Sequence, residues 1–322
     1  MTSPSTAFSA EPALVSRRAR RLTAAGLLAF ILASAGLVAA EGLILSRDWL
    51  FAWLLLGLLA VSLADVKRWA RGVIVDWLPL MAVLLLYDLS KPVSDWLGSR
   101  PHLLPQLDAD RWLTGGAVPS DFLQHALYRP GVAHWYDVAA FFVYLSHFFV
   151  TLTVAAVLWR VAYPRFREWR ALVVTLATAG FATYVLFPAV PPWLAAYQGH
   201  IAPVRRVVAD MWSQVGIEPA HALFENHGEF YNQVAALPSL HAAYPLLLAL
   251  FAWPYARRWL RGLLVAYVVA MGFTLVYTGE HYVADVLAGW AYAGTTYAAV
   301  SAFRRRVRLP RPLPRLQLQQ RA

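Results

Sequence analysis

Two histidines and one aspartate carry the chemistry that this sequence can do. His281 and Asp285 stand four residues apart in Tyr277-Thr278-Gly279-Glu280-His281-Tyr282-Val283-Ala284-Asp285, at the head of an otherwise apolar run. On a helix that spacing shares one face, so the carboxylate can reach the imidazole. Ionisable groups are costly at a bilayer, so such a pair at the mouth of a span points to function. The second histidine lies upstream, in Leu237-Pro238-Ser239-Leu240-His241. Pro-Ser predicts a helix start with Ser239 as N-cap and His241 in the first turn. Thr278 is expected to cap the last helix in the same way, leaving His281 in its first turn. Helix starts offer open N–H groups and partial positive charge, so two of them could clamp one phosphate.

The chemistry that fits is phosphoryl transfer. One imidazole attacks phosphorus, while an acceptor on its other nitrogen fixes the tautomer and supports the developing charge; Asp285 is placed to do this for His281. His241 then protonates the leaving oxygen and activates the incoming alcohol or water. The scheme uses no metal and no cofactor. A phosphate also needs cations around its equatorial oxygens. Lys91 is the leading candidate, with Arg100, Arg111 and Arg129 behind it, and Ser239 and His147 complete the expected phosphate-binding set.

The elements that must hold these residues are membrane helices. The chain is 59% hydrophobic and only 14% charged over 322 residues, too apolar for a soluble domain of that length. It has no cysteine, which excludes disulfides and thiolate metal sites. Apolar runs at roughly 22–40, 49–64, 73–88, 138–159, 171–187, 240–256, 262–278 and 282–302 predict an all-α polytopic bundle of about eight spans. The predicted organisation is a disordered basic segment 1–21, two additional spans in 22–72, a six-helix core in 73–303 and a disordered basic tail 304–322. A cleaved signal peptide ending near Val38-Ala39-Ala40 is the rival reading of the first run, which is longer than a usual signal core.

Charge sets the expected orientation. Of the 28 Lys and Arg, 21 fall in 17–21, 67–71, 160–170, 257–261 and the segment from 304 on, all on one side of an eight-span chain. The positive-inside rule puts that side, with both termini, in the cytoplasm. The net charge of +10 is therefore a topology signal and an attraction to lipid headgroups, with no nucleic-acid partner. The histidines lie on the other side, save His147 within the fourth run, so the site is expected on the extracytoplasmic face.

Pro-Ser-x-His followed by His-x-x-x-Asp resembles the second and third motifs of the type 2 phosphatidic acid phosphatase superfamily. Leu240, in place of glycine before His241, is similar to the inositol phosphorylceramide synthase branch and its bacterial relatives. Tyr87-Asp88-Leu89-Ser90-Lys91, Tyr144-Leu145-Ser146-His147-Phe148 and Phe187-Pro188-Ala189-Val190-Pro191-Pro192-Trp193 resemble the same branch. The resemblance covers roughly 75–300. It implies His281 as nucleophile, Asp285 as its partner and His241 as general acid. The sequence departs from the superfamily at Leu275, where an arginine is usual. Lys91 is also separated from Arg100-Pro101 by eight residues rather than six.

The expected function is a membrane phosphotransferase acting at the extracytoplasmic face. It would move a phosphoryl or phospho-alcohol group, for example of phosphoinositol type, from a lipid phosphate or phospholipid to an alcohol, polyol or glycan hydroxyl. Hydrolysis by water, as in a lipid or polyprenyl phosphate phosphatase, is the alternative. A proton-coupled transporter using His147, Asp76 and His281 is the alternative of another class. Taken singly, several residues have plainer readings. Glu280 is expected to be solvated, Asp76 and Asp137 to be packing or capping groups, and His147 to be either a helix contact or a channel residue. The motif Phe187-Pro188…Pro191-Pro192-Trp193 is readable as a rigid exit from the fifth span.

Overall fold

The computed structural model describes residues 17–41, 47–64, 66–214 and 232–307, and no strand occurs among them. The chain divides into two compact units, Met1–Pro79 and Leu80–Ala322.

In the first unit, α1 (Arg17–Glu41) packs on α2 (Arg47–Ala60), and α3 (Val66–Gly72) runs into a π-helical turn, Val73–Trp77. Small residues set the α1–α2 contact: a Cβ on Gly26 would stand 2.6 Å from the Ala60 carbonyl oxygen. The Trp53 indole N–H donates to the Ser34 hydroxyl at 2.7 Å. Arg17–Arg21, expected to be disordered, form the first turn of α1. Asp76 is buried in the π turn, in keeping with a packing role.

The second unit begins within α4 (Leu78–Trp96). Then come α5 (Leu104–Thr114), α6 (Pro119–Leu127), α7 (Trp135–Val161), α8 (Tyr163–Leu186), α9 (Pro192–Tyr197), α10 (Val207–Gln214), α11 (Leu240–Ala252), α12 (Arg258–Tyr277) and α13 (Val283–Arg306). Apolar on all sides, α11 is the buried centre, packed against α7, α8, α12 and α13. α8 starts eight residues before its predicted edge, because Pro164 fits a first turn and the basic residues there find partners. Arg165 lies 3.3 Å over the Tyr255 ring, and Glu168 pairs with Arg304 at 3.7 Å. Arg304–Arg306, expected in a disordered tail, complete α13.

Among the described residues, five helical stretches are long and apolar enough to cross a membrane: Arg17–Ala40, Ala70–Tyr87, Trp135–Val161, Tyr163–Leu186 and Arg258–Tyr277. The chain is a polytopic helical membrane protein. Two further predicted spans appear as shorter apolar helices, Phe51–Ala60 and Leu240–Ala252. The eighth, α13, is 24 residues long, but its apolar character is diluted by polar residues that face protein. Thr296 is buried, and the Tyr292 and Thr183 hydroxyls bond at 2.7 Å across to α8.

The described parts of the segments read as long outer loops meet at one short extended stretch. Consecutive prolines at 191 and 192 keep Ala189-Val190 out of helix. The stretch bonds on both sides: His102 N–H to Pro188 at 2.8 Å, Val190 N–H to His102 at 2.9 Å and Ala189 N–H to Val234 at 2.6 Å. The His102 and Phe187 rings stack with centroids 4.0 Å apart. The motif is therefore more than a rigid exit; it ties three chain segments together ahead of α11.

Candidate functional site

The start of α11 is built as expected. Ser239 is the N-cap, and its hydroxyl accepts the Ala242 N–H at 3.2 Å, which puts His241 in the first turn. Two helices steady the approach to it: the Tyr184 hydroxyl donates to the Pro238 carbonyl at 2.8 Å, and Asn232 donates to the Ser90 hydroxyl at 2.9 Å. The motif around Tyr87 and Ser90 thus holds the strap that leads into the histidine turn. Lys91 follows on the same helix, and its side chain lies outside the described residues.

The start of α13 differs from expectation. Thr278 does not cap it; Thr278 is the C-cap of α12, with its hydroxyl donated back to Thr274 at 2.8 Å. Gly279 follows at φ +75°, and a Cβ there would meet the Arg205 carbonyl oxygen at 2.8 Å, so only glycine fits both the turn and the approach. The N–H groups of Glu280 and His281 return to the Leu275 carbonyl at 3.0 and 3.1 Å. Tyr282 is the N-cap of α13, so His281 lies just outside the helix rather than in its first turn.

His281 and Asp285 still meet. Nδ1 of His281 stands 3.5 Å from Oδ2 of Asp285, an ion-pair separation without an aligned hydrogen bond. Such contacts are often long before substrate arrives. Oδ2 of Asp285 also accepts the Tyr282 N–H at 2.9 Å, which makes Asp285 a capping residue as well. The His241 and His281 ring centroids are 5.7 Å apart. The two imidazoles, forty residues apart in the sequence, are therefore neighbours in space.

A close helix crossing enforces this. The Ser239 N–H donates to the Asp285 carbonyl at 3.0 Å, and a Cβ on Gly289 would stand 2.2 Å from the Ser239 carbonyl oxygen. His147 of α7 completes the cluster, its ring stacked 3.9 Å from that of His241. Tyr144 stacks on the same ring at 5.0 Å, and Tyr244 lies 5.5 Å from His147. Nδ1 of His147, Nε2 of His241, the Tyr244 and Tyr282 hydroxyls and Oδ1 of Asp285 are all buried without a hydrogen-bond partner. Among the described residues no group of three or more His, Asp or Glu is arranged to hold a metal ion.

The picture of two open helix starts needs correction at α13. The Val283 N–H donates to Oδ2 of Asp110 at 3.0 Å and the Ala284 N–H to Oδ1 at 2.8 Å. With Asp285 on Tyr282, carboxylates already take these N–H groups, so an anion would find none of them free. Asp110 comes from α5 and is fully buried. Burial pushes its carboxyl up to about 6, against the pull of the two N–H bonds and with a further push from the Asp285 charge.

Glu280 also departs from expectation. It is buried and forms a two-point pair with Arg206, at 2.7 and 3.2 Å. The Arg206 guanidinium lies 4.8 Å over the Trp193 ring, and the Trp193 N–H donates to the Gly279 carbonyl at 3.0 Å. A cation therefore sits beside the histidine turn although position 275 is leucine. Gln124 staples the same corner, donating to the Arg205 and Tyr277 carbonyls at 2.8 and 2.9 Å. The proposed arginines are elsewhere on the surface. Arg100 is exposed, Arg111 lines an outer cleft with Asp121 and His125, and Arg129 donates to the His125 and Tyr128 carbonyls. Asp137 acts as a cap, accepting the His134 N–H at 2.9 Å and bonding the Tyr277 hydroxyl. Sequence reasoning missed Asp110, Gln124 and Arg206, none of which lies in a spacing pattern with the histidines.

A family model, the PAP2 superfamily, matches residues 109–299, more than half the chain. The protein belongs to that superfamily. It is similar to a phosphoinositol dihydroceramide synthase from Bacteroides thetaiotaomicron, 32% identical over 114 residues, which cover 34% of this chain and 37% of that protein. The chain thus matches little more than a third of that relative's length. No solved structure matches. The chain is thus a membrane protein of the PAP2 superfamily.

Proposed function

We propose that the protein transfers a phospho-alcohol group, of the phosphoinositol type, from a phospholipid to an alcohol acceptor through a phosphohistidine on His281. The observation that carries this reading is the approach of the His241 and His281 rings to 5.7 Å, with Asp285 behind His281. With Nδ1 turned to Asp285, Nε2 of His281 attacks phosphorus. The bond from phosphorus to the donor's lipid oxygen breaks, and His241 gives that oxygen its proton. The acceptor hydroxyl then loses its proton to His241 and attacks phosphorus, and the N–P bond breaks to restore the imidazole. Arg206 is the cation placed to neutralise the equatorial oxygens, released in part from Glu280 as the phosphate arrives. The unmatched groups of His147 and Tyr244 supply hydrogen bonds for the substrate on the His241 side.

In this reading the eight apolar runs are eight spans, and the distribution of Lys and Arg supports cytoplasmic termini and an outward-facing site. The relative's name makes a phosphoinositol lipid and dihydroceramide the first pair to test. In proteoliposomes holding a labelled inositol phospholipid and the ceramide, transfer of label to the second lipid is the expected result. Release of free inositol phosphate with no lipid product would mean that water is the acceptor. His281→Ala, His241→Ala and Asp285→Ala should each lower turnover by about 10³-fold or more, with the double variants little worse than the singles.

A further inference from the structure

We propose that Asp110 is a positioning residue for phosphoryl transfer: from α5 its carboxylate fixes the first turn of α13, and with it both imidazoles. The inference rests on the phosphohistidine reading. Asp110 is 173 positions before Val283, yet it receives the Val283 and Ala284 N–H groups on separate oxygens. Those residues lie between His281 and Asp285, so the clamp holds the chain that connects the two. The same turn carries the Asp285 carbonyl, which accepts the Ser239 N–H at the head of α11. A shift of the α13 start therefore moves His281 directly and His241 through Ser239.

A cap for stability alone would not need this arrangement. Asp285 already serves as the capping residue of α13, and a second carboxylate fully buried beside it adds like-charge repulsion and desolvation. The raised pKa of Asp110 records that cost. What the second carboxylate contributes is rigidity in two directions at the reacting turn. It also closes the α13 N-terminus to the substrate's phosphate, which leaves the gap between the imidazoles as the place where phosphorus is held.

The test compares wild type with Asp110→Asn and Asp110→Glu in the full-length enzyme, with rates taken per folded molecule. Asparagine keeps one acceptor oxygen and turns an N–H₂ toward a backbone N–H. Its kcat should fall about 10- to 100-fold, as expected for reacting groups moved by a fraction of an ångström, with the donor KM within about threefold. Glutamate keeps both acceptor oxygens and should recover part of the lost rate. Single-turnover labelling of the folded fraction gives the same ratio if a variant is recovered in low yield. Wild-type kcat in Asp110→Asn overturns the inference, as does a loss that appears in KM alone or one that glutamate does not relieve. His281→Ala is run beside them: if it turns over normally, the phosphohistidine reading fails. If it is inactive while Asp110→Asn is normal, only the role of Asp110 fails.

Discussion

Gly289→Ala tests whether the contact between α11 and α13 sets the distance between the two imidazoles. The added Cβ would stand 2.2 Å from the Ser239 carbonyl oxygen and 3.1 Å from its carbon, and both are backbone atoms that cannot rotate away. Contacts below 3.0 Å are essentially never seen, so the helix starts must separate by close to an ångström. Ser239 precedes His241 by two residues, so that separation lengthens the 5.7 Å distance between the ring centroids. A displacement of about 1 Å at a reacting pair costs on the order of 10²-fold in rate, and overpacking at such a contact costs about 1–3 kcal/mol of stability. Gly294→Ala, on the same helix with nothing within 4 Å of its Cβ, is the control. It should keep full activity and gain a few tenths of a kcal/mol or more, roughly the helix preference of alanine over glycine. The measurement is kcat in detergent or proteoliposomes, with thermal unfolding of the same samples. Near wild-type kcat in Gly289→Ala, or an equal loss in Gly294→Ala, would refute the reasoning.

The Arg206–Glu280 pair and the titration of Asp110 give two more tests. Arg206→Ala leaves the Glu280 carboxylate buried and unpaired, which should destabilise the enzyme by about 3–5 kcal/mol, whereas Arg206→Met with Glu280→Leu should recover stability but not phosphate recognition. Thermal unfolding and the donor KM separate the two effects, and a double variant with normal KM would remove Arg206 from the site. For Asp110, the folded-state value of about 6 lies above the ordinary 3.8, so the native state holds its proton more tightly than the unfolded chain does. Its contribution therefore favours folding at low pH and is lost as pH rises from about 4 to about 6. Asp110→Asn should remove that slope from the stability profile; an unchanged slope would mean that another group carries it.

The sequence shows the membrane helices and the paired histidine turns because both are local patterns. Apolar run length reports a span, and Pro-Ser-x-His with His-x-x-x-Asp reports a helix start and a shared face. What was illegible depends on contacts between distant segments. Nothing near Asp110 marks it as the clamp on residues 283 and 284, and nothing near Arg206 marks it as the partner of Glu280. Thr278 looked like an N-cap, yet Gly279 at positive φ ends α12 there and delays α13 to Val283. The α13 start, read as open for phosphate, is closed by a carboxylate from another helix. The apolar run places the edge of α8 too late, because charged residues that pair with Tyr255 and Arg304 look like loop when read alone.

Direct detection of the covalent intermediate tests the mechanism most closely. His241→Ala enzyme, unable to activate the acceptor, is mixed with a donor whose leaving group needs no proton, such as a nitrophenyl phosphodiester of inositol. Fragmentation mass spectrometry under alkaline conditions should place an acid-labile phospho-alcohol group on His281, and His281→Ala in the same background should carry none. A group found on any other residue, or label that persists without His281, would contradict nucleophilic catalysis by that imidazole.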